Sequence, residues 1–342
     1  MESILFVGPI ADTGGPAIKN KILVNQIQKK SNLFVWNTYD KSLRARFGSI
    51  IKILFSKQKY IIVAVSRKGR NLLYPFLLLK NLVCKTHFCC IAIGGKVEES
   101  FNNILSEKAL KKADLITVET KGIKNNLETK YALNNVHWMP NYKEVKATLD
   151  NCISDKYNTK NTRFLFLSSM RDVKGIKTLI EAFNIVKKSG YDIQLDFYGP
   201  IKKDLSQEYL KEIKNTSGMN YCGEVKNENV LTVMSKYDVF VFPTEYSGEG
   251  FPAVLVEALM VGLPVIASDM NYNGEIIKDS INGFLFSIGN ETELAEKMAY
   301  CCSHKEELKK ISRDNVSESR QYDSSIVIEE YCNTLKKKGW PI

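Results

Sequence analysis

The amino-acid sequence predicts an α/β protein built from two doubly wound, Rossmann-like domains facing a cleft. Three observations carry this expectation. Short apolar runs alternate with helical patterns along the chain, the signature of parallel sheets with helices on both faces. One polar, aperiodic stretch around residues 144–161, ending "KATLDNCISDKYNTKN", breaks the alternation and reads as a linker. The length, 342 residues, is too great for one ordinary core and suits two. The expected boundaries are 1–150 for the first domain, 160–322 for the second and 323–342 for a last amphipathic helix containing "SIVIEEYCNTLKKKGW".

The elements follow in order. "SILFVG" is a strand, and "TGGPAIKNKILVNQIQKK" is a glycine-containing loop running into a helix. "LFVWNT", "YIIVAVS", "THFCCIAIGG" and "ADLITVET" are further strands, followed by the helix "KGIKNNLETKY" and by "NVHWMPN". Behind the linker the pattern restarts with strand "TRFLFLSS", helix "KGIKTLIEAFNIVKKSG" with its glycine stop, and strand "IQLDFYG". Helix "ENVLTVMSKY" and strand "DVFVFPT" precede "EGFPAVLVEALMVGLPVIASD". In that last stretch Pro252 suits a first helical turn, Gly262 and Pro264 stop the helix, and Val265–Ser268 is a short strand. In such sheets ligands bind at the carboxyl ends of the strands.

Composition excludes several classes. Hydrophobic residues make up 44% and charged residues 25% of the chain, as in a globular protein. "MESILFVG" reads directly as a buried strand and not as a signal peptide. The longest apolar run, Leu72–Leu79, contains Pro75 and falls far short of the ~20 residues of a spanning helix. Eight cysteines without a C-x-x-C pair read as reduced thiols of a cytoplasmic protein. The three histidines are scattered and show no metal spacing. There is no solenoid repeat or low-complexity tract.

Charge is uneven. Residues 1–90 hold 15 Lys and Arg against 3 Asp and Glu, a net of +12 where the whole chain has +10, so the remainder is net −2. The cations are interleaved with apolar residues in "KSLRARFGSIIKILFSKQK" and "SRKGRNLLYPFLLLKNL", with Leu43, Phe47, Ile50 and Leu54 on one helical face. Nucleic acid is one conceivable partner. An anionic membrane surface fits better, because large apolar side chains accompany the charge. Core helices with solvated basic faces are the plainer alternative.

Four strand ends carry candidate groups. Gly14 and Gly15 let backbone approach a phosphate ahead of a helix, although no G-x-G-x-x-G and no P-loop lysine is present. Arg171 and Lys174 lie between a strand and a helix N-terminus, where two cations call for an anion such as an oligophosphate; two solvated surface cations are the alternative. The loop around Val225 could hold a base through its backbone. Glu249 sits in a turn before a helix, where the N–H groups of Gly250, Phe251, Val254 and Leu255 could meet oxygens.

Glu257 interrupts a helix that is otherwise apolar on every side. An ionised carboxylate buried there costs several kcal/mol unless it is paired. Its partner is either a nearby Lys, Arg or backbone N–H, or a ligand with two adjacent hydroxyls. Glu249, the N–H groups behind it and Glu257 together make sense for a sugar attached to a nucleotide diphosphate. The sequence has no D-x-D to clamp a metal on that diphosphate, so Arg171, Lys174 and the helix dipole would stabilise it as it leaves.

Glu249 to Glu257 resembles the E-x7-E motif of the retaining glycosyltransferases of family 4, which have the GT-B fold, and the resemblance extends over nearly the whole chain. "VKGIKTLIEAF", "DFYGP", "DVFVFPT" and the Gly14-Gly15 loop are similar to family segments. "GEGFPAVLVEALMVGLPVIASDMNYNGEII", "IAIGG" and "MPNY" resemble bacterial capsule, O-antigen and exopolysaccharide enzymes. The resemblance implies a GT-B fold whose last helix crosses back to the first domain. It implies transfer of a sugar from a nucleotide-sugar, here expected to be a UDP-sugar, to an acceptor hydroxyl, with retention and with no metal or other cofactor. Glu257 would hold the ribose, Glu249 the sugar hydroxyls and Lys174 the diphosphate. Many members place the partner cation where this chain has Ser169, so Arg171 is displaced from that position. Gly94-Gly95 stands where some members have a histidine. The basic front half is similar to acceptor domains that dock on the inner face of the plasma membrane, which implies a polyprenyl-diphosphate-linked glycan acceptor and a peripheral location. A nucleotide-sugar epimerase and a catalytically silent partner of another transferase are the competing readings; a nicotinamide oxidoreductase lacks its glycine fingerprint.

Overall fold

The computed structural model describes residues 2–40, 42–95, 97, 104–144, 157 and 159–342. The linker expected at 144–161 lies outside the described residues apart from 144, 157 and 159–161. The chain divides into two compact units. The first comprises Met1–Glu144, Gly248–Phe251 and Tyr322–Ile342, the second Val145–Ser247 and Pro252–Gln321.

The first unit runs β1 (Ile4–Gly8), α1 (Gly15–Gln28), β2 (Leu33–Asn37), α2 (Leu43–Phe55), β3 (Tyr60–Val65), α3 (Arg67–Cys84), β4 (His87–Ala92), α4 (Ile104–Lys112), β5 (Leu115–Val118), α5 (Lys121–Tyr131) and β6 (Val136–Trp138). The second runs β7 (Thr162–Leu167), α6 (Ile176–Lys188), β8 (Ile193–Tyr198), α7 (Gln207–Asn215), β9 (Met219–Tyr221), α8 (Val230–Met234), β10 (Val239–Phe242), α9 (Ala253–Met260), β11 (Val265–Ser268), α10 (Asn273–Ile276), β12 (Gly283–Phe286), α11 (Glu291–Ser303) and α12 (Lys305–Ser319). A final helix, α13 (Ser324–Lys337), belongs to the first unit.

Each unit is one six-stranded parallel sheet, as expected. The orders are β2-β1-β3-β4-β5-β6 and β12-β11-β10-β7-β8-β9. Every residue of β1, β3 and β10 is buried, because helices cover both faces and leave no solvent side for a polar alternation. In each sheet the winding reverses once, between β1 and β3 and between β7 and β10. In sheets of this kind, ligands bind beyond the carboxyl ends of the strands at that reversal.

The expected return of the last helix is observed. Val327, Ile328, Tyr331 and Leu335 of α13 share one core with Ile4, Phe6, Ile62 and Ile91. Tyr331 Oη lies 3.2 Å from Cys89 Sγ. The second core gathers Phe164, Phe166, Phe183 and Phe197 with Leu308 and Ile311 of α12. The cysteines among the described residues form no disulfide. No helix among those residues is long and apolar enough to cross a membrane.

On α2 the apolar face read from the sequence is only partly covered. Phe47 is exposed, Ile50 and Leu54 are half-buried, and the side chain of Leu43 lies outside the described residues. Ser49 and Ile53 are the buried residues of the helix. Trp36 on β2 holds this arrangement by donating from Nε1 to Ser49 Oγ, at 3.1 Å.

The second sheet is locked at its carboxyl edge by backbone contacts. Gly175 has φ +72°, and a Cβ there would lie 1.9 Å from the carbonyl oxygen of Pro243. The left-handed conformation alone costs a side chain about 1–2 kcal/mol, before that clash is relieved. Gly175→Ala is therefore expected to lower the unfolding free energy of the second unit by about 2 kcal/mol or more. Calorimetry of the variant checks this; an unchanged melting temperature would show that the turn relaxes at no cost.

Candidate active site

The crevice between β7 and β10 is where the sequence-predicted cations meet. After β7 the chain passes Ser168 and Ser169 and makes a 3-10 turn, Asp172–Lys174, before α6. Asp172 accepts from the N–H of Ser206 at 2.8 Å, which fixes the turn. After β10 the chain runs through Pro243, Thr244, Glu245 and Tyr246. The N–H of Glu245 donates to Val173 O at 2.9 Å, and Thr178 Oγ1 donates to Glu245 Oε1 at 3.0 Å. Ser268 Oγ at the end of β11 donates to Thr244 O at 2.6 Å. Three strand ends are thus tied into one platform.

On this platform Lys174 Nζ stands 5.0 Å from the ring centroid of Tyr246 and 6.0 Å from that of Phe242. The Arg171 guanidinium carbon lies 5.9 Å from the same Tyr246 ring. Two cations thus lie over one aromatic ring. Lys174 is buried, and burial followed by the repulsion of Arg171 pushes its ammonium down to about 8. Arg171 also donates to Asp204 Oδ2 at 2.8 Å, which holds the Asp204 carboxyl below its ordinary value. A desolvated lysine beside a second cation gains from any anion that approaches. Ser169 is half-buried in the same loop.

Val225 is half-buried in the loop after β9. That loop lies against the end of β8, where Gly199 N–H donates to Gly223 O at 2.8 Å. Glu257 lies on α9 and is buried, 7% exposed, among apolar neighbours of its own helix. Val254 and Leu255 lie on the same helix, but Leu255 departs from expectation. Its N–H donates to Pro252 O at 3.1 Å, closing the first turn of the helix, and so it is already engaged.

The turn of Glu249 belongs to the first unit, together with Gly250 and Phe251. It rests on the glycine pair after β4. A Cβ on Gly95 would fall 2.0 Å from Glu249 O, and one on Gly250 would fall 2.9 Å from Gly95 N and 3.3 Å from Glu119 Oε2. Asn141 Nδ2 donates to Phe251 O at 2.6 Å, and the Phe251 ring meets Tyr322 edge-on at 5.7 Å. Under the glycines lies a buried ion pair, Lys19 Nζ to Glu119 Oε1 at 3.0 Å, the two side chains 5% and 7% exposed. Glu119 Oε2 also accepts from Gly94 N–H at 3.3 Å. Gly14 and Gly15 are in this unit as well, Gly14 at φ +83° as the cap of α1.

Sequence reasoning did not single out Tyr246, Lys19, Glu119 or Asn141. One signal was present for Lys19: it lies on the face of α1 that carries Leu23 and Ile27, where a lysine requires a buried partner. Among the described residues no group of three or more His, Cys, Asp or Glu is placed to hold a metal ion.

Residues 153–316 match the family model of glycosyl transferases group 1. An uncharacterised glycosyltransferase of Methanocaldococcus jannaschii, MJ1178, is 29% identical over 60% of this chain and 54% of its own length. An uncharacterised glycosyltransferase of Haemophilus influenzae is 22% identical over 91% of this chain and 87% of its own. The capsular polysaccharide biosynthesis glycosyltransferase CapM of Staphylococcus aureus is 26% identical over 62% of this chain and 52% of its own. For two of these three relatives, then, the match spans about half of the relative's length. The crystal structure of Anabaena Alr3699/HepE in complex with UDP superposes with a TM-score of 0.78 at 15% identity, over 98% of this chain and 100% of that one, and shows the likeness of fold. Residues 153–316 are thus similar to glycosyl transferases group 1, and the chain has the GT-B architecture expected of it.

The buried Lys174 sets a pH signature. In the unfolded chain it holds its proton to an ordinary value of 10.5, in the folded chain only to about 8. Between those values the unfolded state binds more protons, so Lys174 makes stability rise with pH across that window. Denaturant unfolding of the wild type and of Lys174→Met across that window is expected to give curves that differ in slope; parallel curves would refute the shift.

Proposed function

We propose that this protein is a glycosyltransferase that moves a sugar from a UDP-sugar to a hydroxyl of a polyprenyl-diphosphate-linked glycan, with retention and without a metal, in bacterial surface polysaccharide synthesis. The observation that carries the reading is the convergence of Arg171 and Lys174 on Tyr246 at the switch point of the second sheet. Two cations at one strand end, Lys174 buried and Arg171 half-buried, suit a diphosphate that leaves with its charges. The choice of uridine is prompted by the UDP in the Anabaena structure, and the polysaccharide context by the printed role of CapM. The transferase names of the relatives favour transfer over isomerisation of the donor alone.

The proposed roles are as follows. Lys174 and Arg171 hold the diphosphate. Glu257, buried on α9, accepts from the two ribose hydroxyls. Val225 lies in the loop that meets the base. Glu249, with the backbone of Gly250 and Phe251, meets the hydroxyls of the donor sugar. The bond between the anomeric carbon and the phosphate oxygen breaks with its electron pair going to the diphosphate. The acceptor oxygen bonds to that carbon from the same face, and its proton passes to the departing phosphate oxygen. The protein contributes position and charge.

The acceptor and the location follow from the front half. Phe47, Ile51 and Phe55 stand exposed on α2, 64%, 58% and 80%, beside Arg44 and Arg46. Leu79, Leu82 and Val83 stand exposed on α3. Apolar side chains among cations suit the inner face of the plasma membrane, where lipid-linked saccharides lie.

Two measurements test the proposal. Among UDP, GDP, ADP and CMP, UDP is expected to raise the melting temperature of the wild type, equally with and without EDTA, since a ligand of the native state stabilises by mass action. Glu257→Ala is expected to lose that shift, and a variant that keeps it would remove the ribose role. The protein is also expected to float with anionic liposomes at low salt and to be released as salt rises; failure to float would remove membrane docking.

A further inference from the structure

The first unit encloses a cavity of about 840 Å³ at its own switch point, under the carboxyl ends of β1, β2, β3 and β4. That volume is within the range of sites that bury a whole small molecule. Its walls are largely apolar. Phe47 and Ile50 of α2 face Leu72 and Leu73 of α3, above Val65 and Ile93 at the strand ends. A saccharide placed there would lose its hydration without gaining partners for most of its hydroxyls. The charged groups that line it are Asp40, Arg46 and Lys68. Asp40 is committed to the turn that caps α2, accepting from Ser42 N at 2.8 Å and from Ser42 Oγ at 3.0 Å. Arg46 and Lys68 are exposed and leave the site net cationic. Phe47 lines the cavity and also begins the exposed stripe Phe47, Ile51, Phe55, so the cavity is continuous with the apolar, basic face of α2.

We propose that this cavity takes the lipid end of the acceptor: its first isoprene units lie between α2 and α3, and its diphosphate meets Arg46 and Lys68. The inference rests on the lipid-linked acceptor proposed above and adds the place and the residues that recognise it. A chain with an anionic group at one end matches both halves of the lining. Neither half alone, an apolar alcohol or a free diphosphate, fills both.

Calorimetric titration of the full chain tests this, with farnesyl diphosphate as the probe and farnesol and inorganic diphosphate as its two halves. Farnesyl diphosphate is expected to bind at least about tenfold more tightly than either half. Arg46→Gln combined with Lys68→Gln is expected to weaken it about tenfold or more and to leave UDP binding as in the wild type. Leu72→Trp and Ile50→Trp fill the cavity from different helices. Whichever of them keeps the wild-type melting profile is expected to weaken both farnesyl diphosphate and farnesol. Inorganic diphosphate binding as well as the whole probe would overturn the proposal. So would farnesyl diphosphate binding that neither the charge variant nor the filled cavity changes. The two readings fail differently. If the acceptor is not lipid-linked, the enzyme glycosylates a soluble glycan and ignores the probe. If only the cavity is misassigned, the probe binds and competes with lipid-linked acceptor, but the variants behave as the wild type.

Discussion

The contact between Gly175 and the carbonyl of Pro243 is the constraint on which the second unit's site depends. No side chain fits there, and the close approach pulls the loop after β7 onto the loop after β10. A similar contact brings Gly199, after β8, to where a Cβ would lie 1.8 Å from Ser168 O. Three neighbouring strands therefore end at one level. Lys174 is carried to the ring of Tyr246 because its turn has no other way to leave β7. The burial that displaces its proton equilibrium follows from the same closeness. Charge, geometry and acidity at this site have one cause, a backbone packed against a backbone.

The first unit reaches a comparable end by a different route. Its glycine pair at 94–95 makes room for the turn of Glu249, and the ground beneath that turn is an ion pair. A buried pair of this kind contributes little net stability, because desolvation offsets most of the attraction. Its value lies in direction: Glu119 accepts from Lys19 and from the Gly94 N–H, and so fixes the plane on which Gly250 rests. Arg70 acts in the same way higher up, donating to the carbonyls of Val65 and Ile93 at 3.3 and 3.0 Å. Charged side chains inside this unit are used to hold strand ends in register.

Much of this was legible in the sequence, for physical reasons. Runs such as "YIIVAV" and "VFVF" have no polar alternation because both faces are covered, and they announced a parallel sheet. Arg171 and Lys174 were found because cations at a helix start oppose the dipole. Other features were not legible. β9 is three residues long and too short to show a period. α12 buries only Leu308 and Ile311 among its large apolar residues, so its pattern reads as polar surface. Tyr246 drew no attention, since an aromatic in a glycine-rich turn is ordinary until the fold sets it over a lysine a full strand-pair away. Lys19 and Glu119 are a hundred positions apart, and only the sheet makes them neighbours.

The first unit is written in three separate pieces of chain, and this bears on how the molecule is made. Residues 1–144 leave the ribosome with part of their core missing, because Val327, Tyr331, Leu335 and Trp340 come last. The second unit is nearly contiguous and needs nothing synthesised after Gln321. Domains emerging from synthesis usually fold in order, first the one nearest the amino end. Here the core of the first unit is complete only when α13 packs onto the sheet, so that unit's folding is tied to a segment that begins at Ser324, far along the chain from the end of its last strand at Trp138.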